Sequence, residues 1–146
     1  MVCGIAGGAR GGQGLSQAAA PLLTRRGGVT DAEGEHRPLV SQAFCSALPV
    51  AYTRVPPSHW EAFAPLVLQA AYEATMLAAV VNARRGASNV ALLTELGGGA
   101  FGNRTDWIHA AMRRALEMMS EFALDVRLVS YGTPSRAILQ IAGDFA

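Results

Sequence analysis

A chain of 146 residues, 51% of them apolar and with a net charge of +1, has the material for one domain with a substantial core. Charged residues make up 16% and form no block of one sign, which argues against a nucleic-acid-binding face or a charged tail. Cys3 and Cys45, with the scattered His36, His59 and His109, have neither metal-ligand spacing nor a disulfide framework, so no metal is expected and free thiols fit a reducing compartment.

Residues 1–37 are weak in every structural signal. Gly4, Gly7, Gly8, Gly11, Gly12, Gly14, Gly27, Gly28 and Gly34 punctuate them, and glycine loses the most backbone entropy on ordering. A poorly ordered arm is expected, with Ser16–Leu23 as a short helical candidate that Pro21 limits. Met1–Ala20 has glycines and Arg10 where a signal peptide needs an apolar run. The most apolar stretch, Leu66–Val81, holds Gln69 and Glu73 and is shorter than the roughly 20 residues of a membrane span. A soluble cytoplasmic protein with no membrane partner is the expectation.

Residues 38–146 read as an α/β domain. Leu39–Leu48 carries Val40, Phe44 and Cys45 in an apolar run closed by Pro49, a strand pattern. Proline-rich residues 49–57 lead to Ser58 and Glu61, spaced as a capping box. The helix that follows, to about Arg85, carries Phe63, Leu66, Val67, Ala70, Ala74, Leu77, Ala78 and Val81 at helical spacing as its expected core face. Leu68, Met76 and Val80 add burial on other sides, and Pro65 predicts a kink or a restart. Arg84, Arg85 and Gly86 suit its end, with Asn82 expected at the surface.

Asn89–Leu96 contains the unbroken apolar run of a strand covered on both faces. A second helix, about Arg104–Phe122, has a stripe of Trp107, Ile108, Ala111, Met112, Ala115, Leu116 and Met119, and a wet face of Arg113, Arg114, Glu117 and Glu121. Asn103 or Thr105 is placed to cap it. Asp125–Tyr131 reads as a last strand ended by Gly132 and Pro134; Ala137–Ile141 is structure of unassigned type. The order β-α-β-α-β predicts a three-layer, parallel-type sheet with flanking helices. Ligands of such sheets bind at the carboxyl ends of the strands, which puts Gly97–Gly102 and Tyr131–Pro134 on one edge.

Leu96–Asn103, LGGGAFGN, joins the second strand to a helix. Successive amides of such a turn form an anion nest, and the helix N-terminus adds partial positive charge, with Arg104 near in sequence. Gly97, Gly99 and Gly102 also spell G-x-G-x-x-G, but the next strand ends without the acid that a dinucleotide site uses on the ribose, and Asp125 lies at its other end. No phosphate-loop lysine follows the glycines, and no Ser-His-Asp arrangement is detectable.

The segment Leu92–Ile108, LLTELGGGAFGNRTDWI, resembles the second phosphate loop of macrodomains, the ADP-ribose-binding modules. SQAFCSALPVAY, WEAFAPLVLQAAYEAT and VSYG extend the resemblance, to the C-terminal half of larger macrodomain-like proteins. It implies a macrodomain-like fold in truncated or diverged form. It also implies that Gly97, Gly98, Gly99, Ala100, Phe101, Gly102 and Asn103 surround a diphosphate, that Phe101 flanks the distal ribose, and that Ser130 and Tyr131 lie near the nucleotide. The family also uses an earlier Asn-bearing loop, of which this sequence has no convincing equivalent: Ala6–Leu15 is glycine-rich but has no Asn and no clear strand before it. ADP-ribose or a related nucleotide is the partner so implied, with no resident cofactor.

Reading ADP-ribose and cleaving it as a glycohydrolase both stay open, because that chemistry often lacks a fixed catalytic side chain. The alternative class is a non-catalytic interaction module that forms a homo-oligomer, with an NAD-binding module third. Among single residues, Glu73 in an apolar helix is a candidate general base, but the one wet stripe, with Gln69 a turn away, accounts for it better. Glu95 and Asp106 flank the glycine turn and could position a water, although the helix dipole explains Asp106 by itself. Cys45 reads as core, and Trp60 and Trp107 as packing or stacking groups.

Overall fold

The computed structural model describes residues 3–6, 23–28 and 39–146. It is a mixed α/β structure. Five strands, β1 (Cys3–Ala6), β2 (Leu23–Gly28), β3 (Leu39–Ala43), β4 (Val90–Thr94) and β5 (Asp125–Val129), form one sheet in the order β2-β3-β1-β4-β5. Among the described residues three α-helices accompany it: α1 (Ala64–Arg84), α2 (Thr105–Met118) and α3 (Arg136–Asp144). Two short pieces of the glycine-rich segment thus contribute strands. Most of the Ser16–Leu23 helix candidate and of the Ala6–Leu15 loop lies outside the described residues.

β4 and β5 pair in parallel, in register from Val90 with Asp125 to Thr94 with Val129, joined by the α2 crossover. β1 pairs antiparallel with both β3 and β4, so those two strands run the same way with β1 between them. β2 adds antiparallel to the far side of β3. The sheet is therefore mixed rather than wholly parallel, yet β3, β4 and β5 all point their carboxyl ends to one edge.

The core lies between the helices and one face of the sheet. Ala91 and Leu93 are fully buried while Val90, Leu92 and Thr94 are half-buried, an alternation in place of the two-sided burial that the apolar run predicts. Every residue of the predicted α2 stripe, Trp107 to Met119, is buried. α1 departs from expectation. Its core side is Ala64, Leu68, Ala71, Tyr72, Thr75, Met76, Ala78, Ala79 and Val80, whereas Phe63, Leu66, Ala70, Ala74, Leu77 and Val81 are exposed. The reason is size: Ala71, Ala78 and Ala79 on α1, with Ala111 and Ala115 on α2, let two helices that pack on each other approach closely.

Local signals resolve in particular ways. Pro65 opens α1 in its first turn, where a missing N–H costs nothing, and so neither kinks nor restarts it. No capping box forms: Pro57–Trp60 is a 3-10 turn, and Glu61 pairs instead with Arg104 at 3.2 Å. Gly86 takes a positive φ of 73° just past α1. Asn82 is buried rather than at the surface, donating to the Ser88 carbonyl at 3.0 Å and accepting from Arg85 at 2.8 Å. The untyped C-terminal stretch is α3, capped by Ser135, whose hydroxyl accepts from the Ile138 amide at 3.2 Å.

Candidate functional site

The glycine turn leaves the carboxyl end of β4. Tyr72, from the middle of α1, fixes where it starts: its hydroxyl donates to the Thr94 carbonyl at 2.6 Å and accepts from the Leu96 amide at 2.9 Å. Asn103 fixes where it closes, its own amide donating to the Gly97 carbonyl at 3.0 Å and its side-chain Nδ2 reaching the Leu48 carbonyl at 2.8 Å. Asn103 is thus a buried brace and not the cap of α2, whose N-cap is Arg104 with no side-chain capping bond to the helix backbone. The Asn103 Oδ1 is buried with no donor among the described residues.

The glycines divide into two kinds. Gly97 and Gly102 have φ of 78° and 68°, and a Cβ on them would lie 2.3 Å from the Ala47 Cβ and 2.7 Å from the Ala51 Cβ. Both are demanded by the turn itself. Gly99 has no such reason: its φ is ordinary and a Cβ there meets nothing within 4 Å. A tight structural turn accounts for Gly97 and Gly102 and leaves Gly99 unexplained.

β3 ends at Ala43 instead of running on to Leu48, because the chain turns out of the sheet at Phe44 and Cys45. That exit segment meets the glycine turn, and the Ala51 amide donates to the Phe101 carbonyl at 2.9 Å to tie them. Between them lies a cavity of about 460 Å³ lined by Phe44, Cys45, Ser46, Leu96, Gly97, Gly99, Ala100 and Phe101. Its size falls within the range of small-molecule sites. Phe101 meets Tyr52 edge-to-face, with centroids 5.9 Å apart.

Around the cavity the backbone offers donors. The amides of Gly98, Gly102 and Asn103 are used inside the turn, on the carbonyls of Glu95, Gly99 and Gly97. Those of Gly99, Ala100 and Phe101, three in succession, have no hydrogen bond among the described residues. Consecutive unbonded amides are the arrangement that holds an anion.

The neighbouring charges are committed elsewhere. Arg104 hydrogen-bonds Asp106 at 2.7 Å and Glu61 at 3.2 Å, and its guanidinium stacks on Trp107 at 5.1 Å. The bond from Arg104 holds the Asp106 carboxyl below its ordinary range, and the amides of Asp106 and Trp107 add to this. The first turn of α2 therefore already carries its own carboxylate. Glu95 lies 2.8 Å from His109 Nε2, and Glu73 is 2.6 Å from Arg114 Nε. Neither acid lines the cavity.

Of the residues expected at the site, Gly97, Gly99, Ala100 and Phe101 line the cavity; Gly98, Gly102 and Asn103 shape the turn behind it. Ser130 is half-buried and Tyr131 fully exposed, and neither is on the cavity wall. Phe44, Cys45 and Ser46 are the wall residues that site reasoning missed. The available signal was positional: they follow a strand whose carboxyl end shares an edge with the turn. Compared with protein-family models, with curated proteins and with solved structures, the chain matches none.

Proposed function

We propose that the chain binds the diphosphate of ADP-ribose, or of a related nucleotide, in the cavity above the glycine turn. The observation that carries this is the run of three unbonded amides, Gly99 to Phe101, on the wall of a cavity large enough for a nucleotide. The likeness of LGGGAFGN to the macrodomain phosphate loop supports the choice of ligand, and a three-layer macrodomain-like architecture belongs to the same proposal. Phe101, with Tyr52 beside it, offers an aromatic edge to the sugar. With Glu73 and Asp106 in ion pairs and Glu95 hydrogen-bonded to His109, the described residues favour binding over a fixed general base.

The test is a thermal shift with ADP-ribose, NAD and AMP. A ligand at a hundred times its Kd stabilises by about 2.7 kcal/mol, which corresponds to several degrees in a domain of this size. ADP-ribose is expected to raise the melting temperature and the Gly99→Glu variant to lose that response while melting normally without ligand, since position 99 has room for a side chain. A folded protein that responds to none of the three nucleotides refutes the proposal.

A further inference from the structure

The wall of the cavity has two unlike halves. Gly99, Ala100 and Phe101 bring unbonded main-chain amides to it, whereas Phe44, Cys45 and Ser46, at the exit of β3, bring side chains. The two polar side chains among these are turned to the protein. The Ser46 hydroxyl donates to the Ala47 carbonyl at 3.0 Å, and the Cys45 thiol donates to the Ala71 carbonyl at 3.8 Å with Thr75 Oγ1 at 3.9 Å. Phe44 is engaged by neither core nor neighbour. It is 45% exposed, stands outside the core and the side chains packed on its margin, and has no ring contact among the described residues.

A single exposed aromatic ring means little, because every folded surface keeps some apolar area. Position is what sets Phe44 apart. Phe122 lies beneath the Arg84 guanidinium, Tyr52 meets Phe101, and neither Phe63 nor Tyr131 is on the wall of this cavity. Phe44 shares one cavity with three amides free to hold an anion. An anion site and an unused aromatic face in the same cavity match the two ends of a nucleotide, since a base stacks on aromatic side chains.

Resting on the reading of the amide run as a phosphate site, we infer that Phe44 is the platform on which the nucleotide's base stacks, and that the site accepts purines and pyrimidines alike. One base is told from another by hydrogen bonds to its edge, and a site built to make them rejects analogues that lack the matching group. Among the described residues the cavity wall carries no charged or amide side chain to grip such an edge, and its hydroxyl and thiol donate elsewhere. Stacking is what remains, and stacking is tolerant because every base has a π-face. Phe101 does not fill this role: it is half-buried against the core, and its ring already meets Tyr52.

Isothermal titration of the full chain with ADP, GDP, UDP and inorganic diphosphate tests this. The nucleotides are expected to bind within about tenfold of one another, and inorganic diphosphate more weakly than any of them. Phe44→Ala should weaken each nucleotide by roughly tenfold or more, the effect of losing one stacked base, and leave inorganic diphosphate unchanged. Phe44→Tyr should bind as the parent does, and Phe44→Leu, which keeps the bulk without the ring, should not. All three variants should keep the parent's far-ultraviolet spectrum, since the side chain lies outside the core. Nucleotide binding that Phe44→Ala leaves intact overturns the inference while the phosphate site stands. So does a preference of about a hundredfold or more for ADP over UDP, the mark of a base edge read by hydrogen bonds. If Phe44→Ala loses inorganic diphosphate as well, the ring shapes the turn and the inference also falls. A folded parent that binds neither ADP-ribose nor any of these probes refutes the phosphate site itself, and the inference with it.

Discussion

Gly97 and Gly99 sit two residues apart in the same turn and are held to opposite standards by their surroundings. At Gly97 a methyl group would combine a positive φ with a 2.3 Å approach to the Ala47 Cβ, two costs that cannot be relieved together. Gly97→Ala is expected to destabilise by about 2 kcal/mol or more, from the left-handed backbone term and overpacking combined. Gly99→Ala should change stability by no more than about 0.5 kcal/mol, as for an open surface position. Urea denaturation of the two variants checks the pair, and equal losses would show that the turn needs all of its glycines for folding. Tyr72 is the other decisive residue. Tyr72→Phe removes the donor to the Thr94 carbonyl and leaves the Leu96 amide without its side-chain acceptor, a loss of about 1–3 kcal/mol. If the variant unfolds at the same urea concentration as the parent, the hydroxyl does not brace the turn.

The two long helices explain what the sequence could and could not disclose. α2 has a wet face of Arg114, Glu117 and Glu121, so its apolar stripe could point only inward, and all of it is buried. α1 offers two apolar faces, and periodicity cannot rank them. The face with the larger side chains reads as the better core, but close packing against α2 selects the alanine-rich side. The turn was legible because its glycines follow a strand and precede a helix. Phe44, Cys45 and Ser46 were not, since the apolar run Leu39–Leu48 reads as one strand, whereas β3 ends at Ala43 and the chain turns out of the sheet towards the cavity. The capping box at Ser58 and Glu61 satisfied its spacing rule and still failed: Pro57 starts a 3-10 turn, and Arg104, distant in sequence, claims the glutamate.

At the level of the whole molecule, two ion pairs link elements: Arg113 to Asp144 joins α2 to α3, and Arg114 to Glu73 joins α2 to α1. Arg104 and Arg127 lower the carboxyls of Asp106 and Asp125 from their ordinary value of 3.8. Groups depressed in the folded state contribute stability that is present above 3.8 and is lost as pH falls through their lower folded values. Thermal unfolding followed from neutral pH downward should therefore fall on the acid side, and Asp106→Asn with Asp125→Asn should flatten that fall. An unaltered acid slope in the double variant would show that these exposed pairs carry no measurable share.

The donors on the cavity wall belong to the main chain, and that sets how the site can be lost. No side-chain replacement deletes an amide, apart from proline, so Ala100 and Phe101 can drift in identity while the three N–H groups stay where Gly97 and Gly102 put them. Occupancy is then controlled by what protrudes over the amides rather than by what supplies the charge. A bulky or acidic residue at position 99, where a Cβ meets nothing within 4 Å, is expected to close the proposed site without disturbing the fold. On the proposed reading, the capacity to hold an anion is inherited with the shape of the turn, and a single substitution switches it off or on.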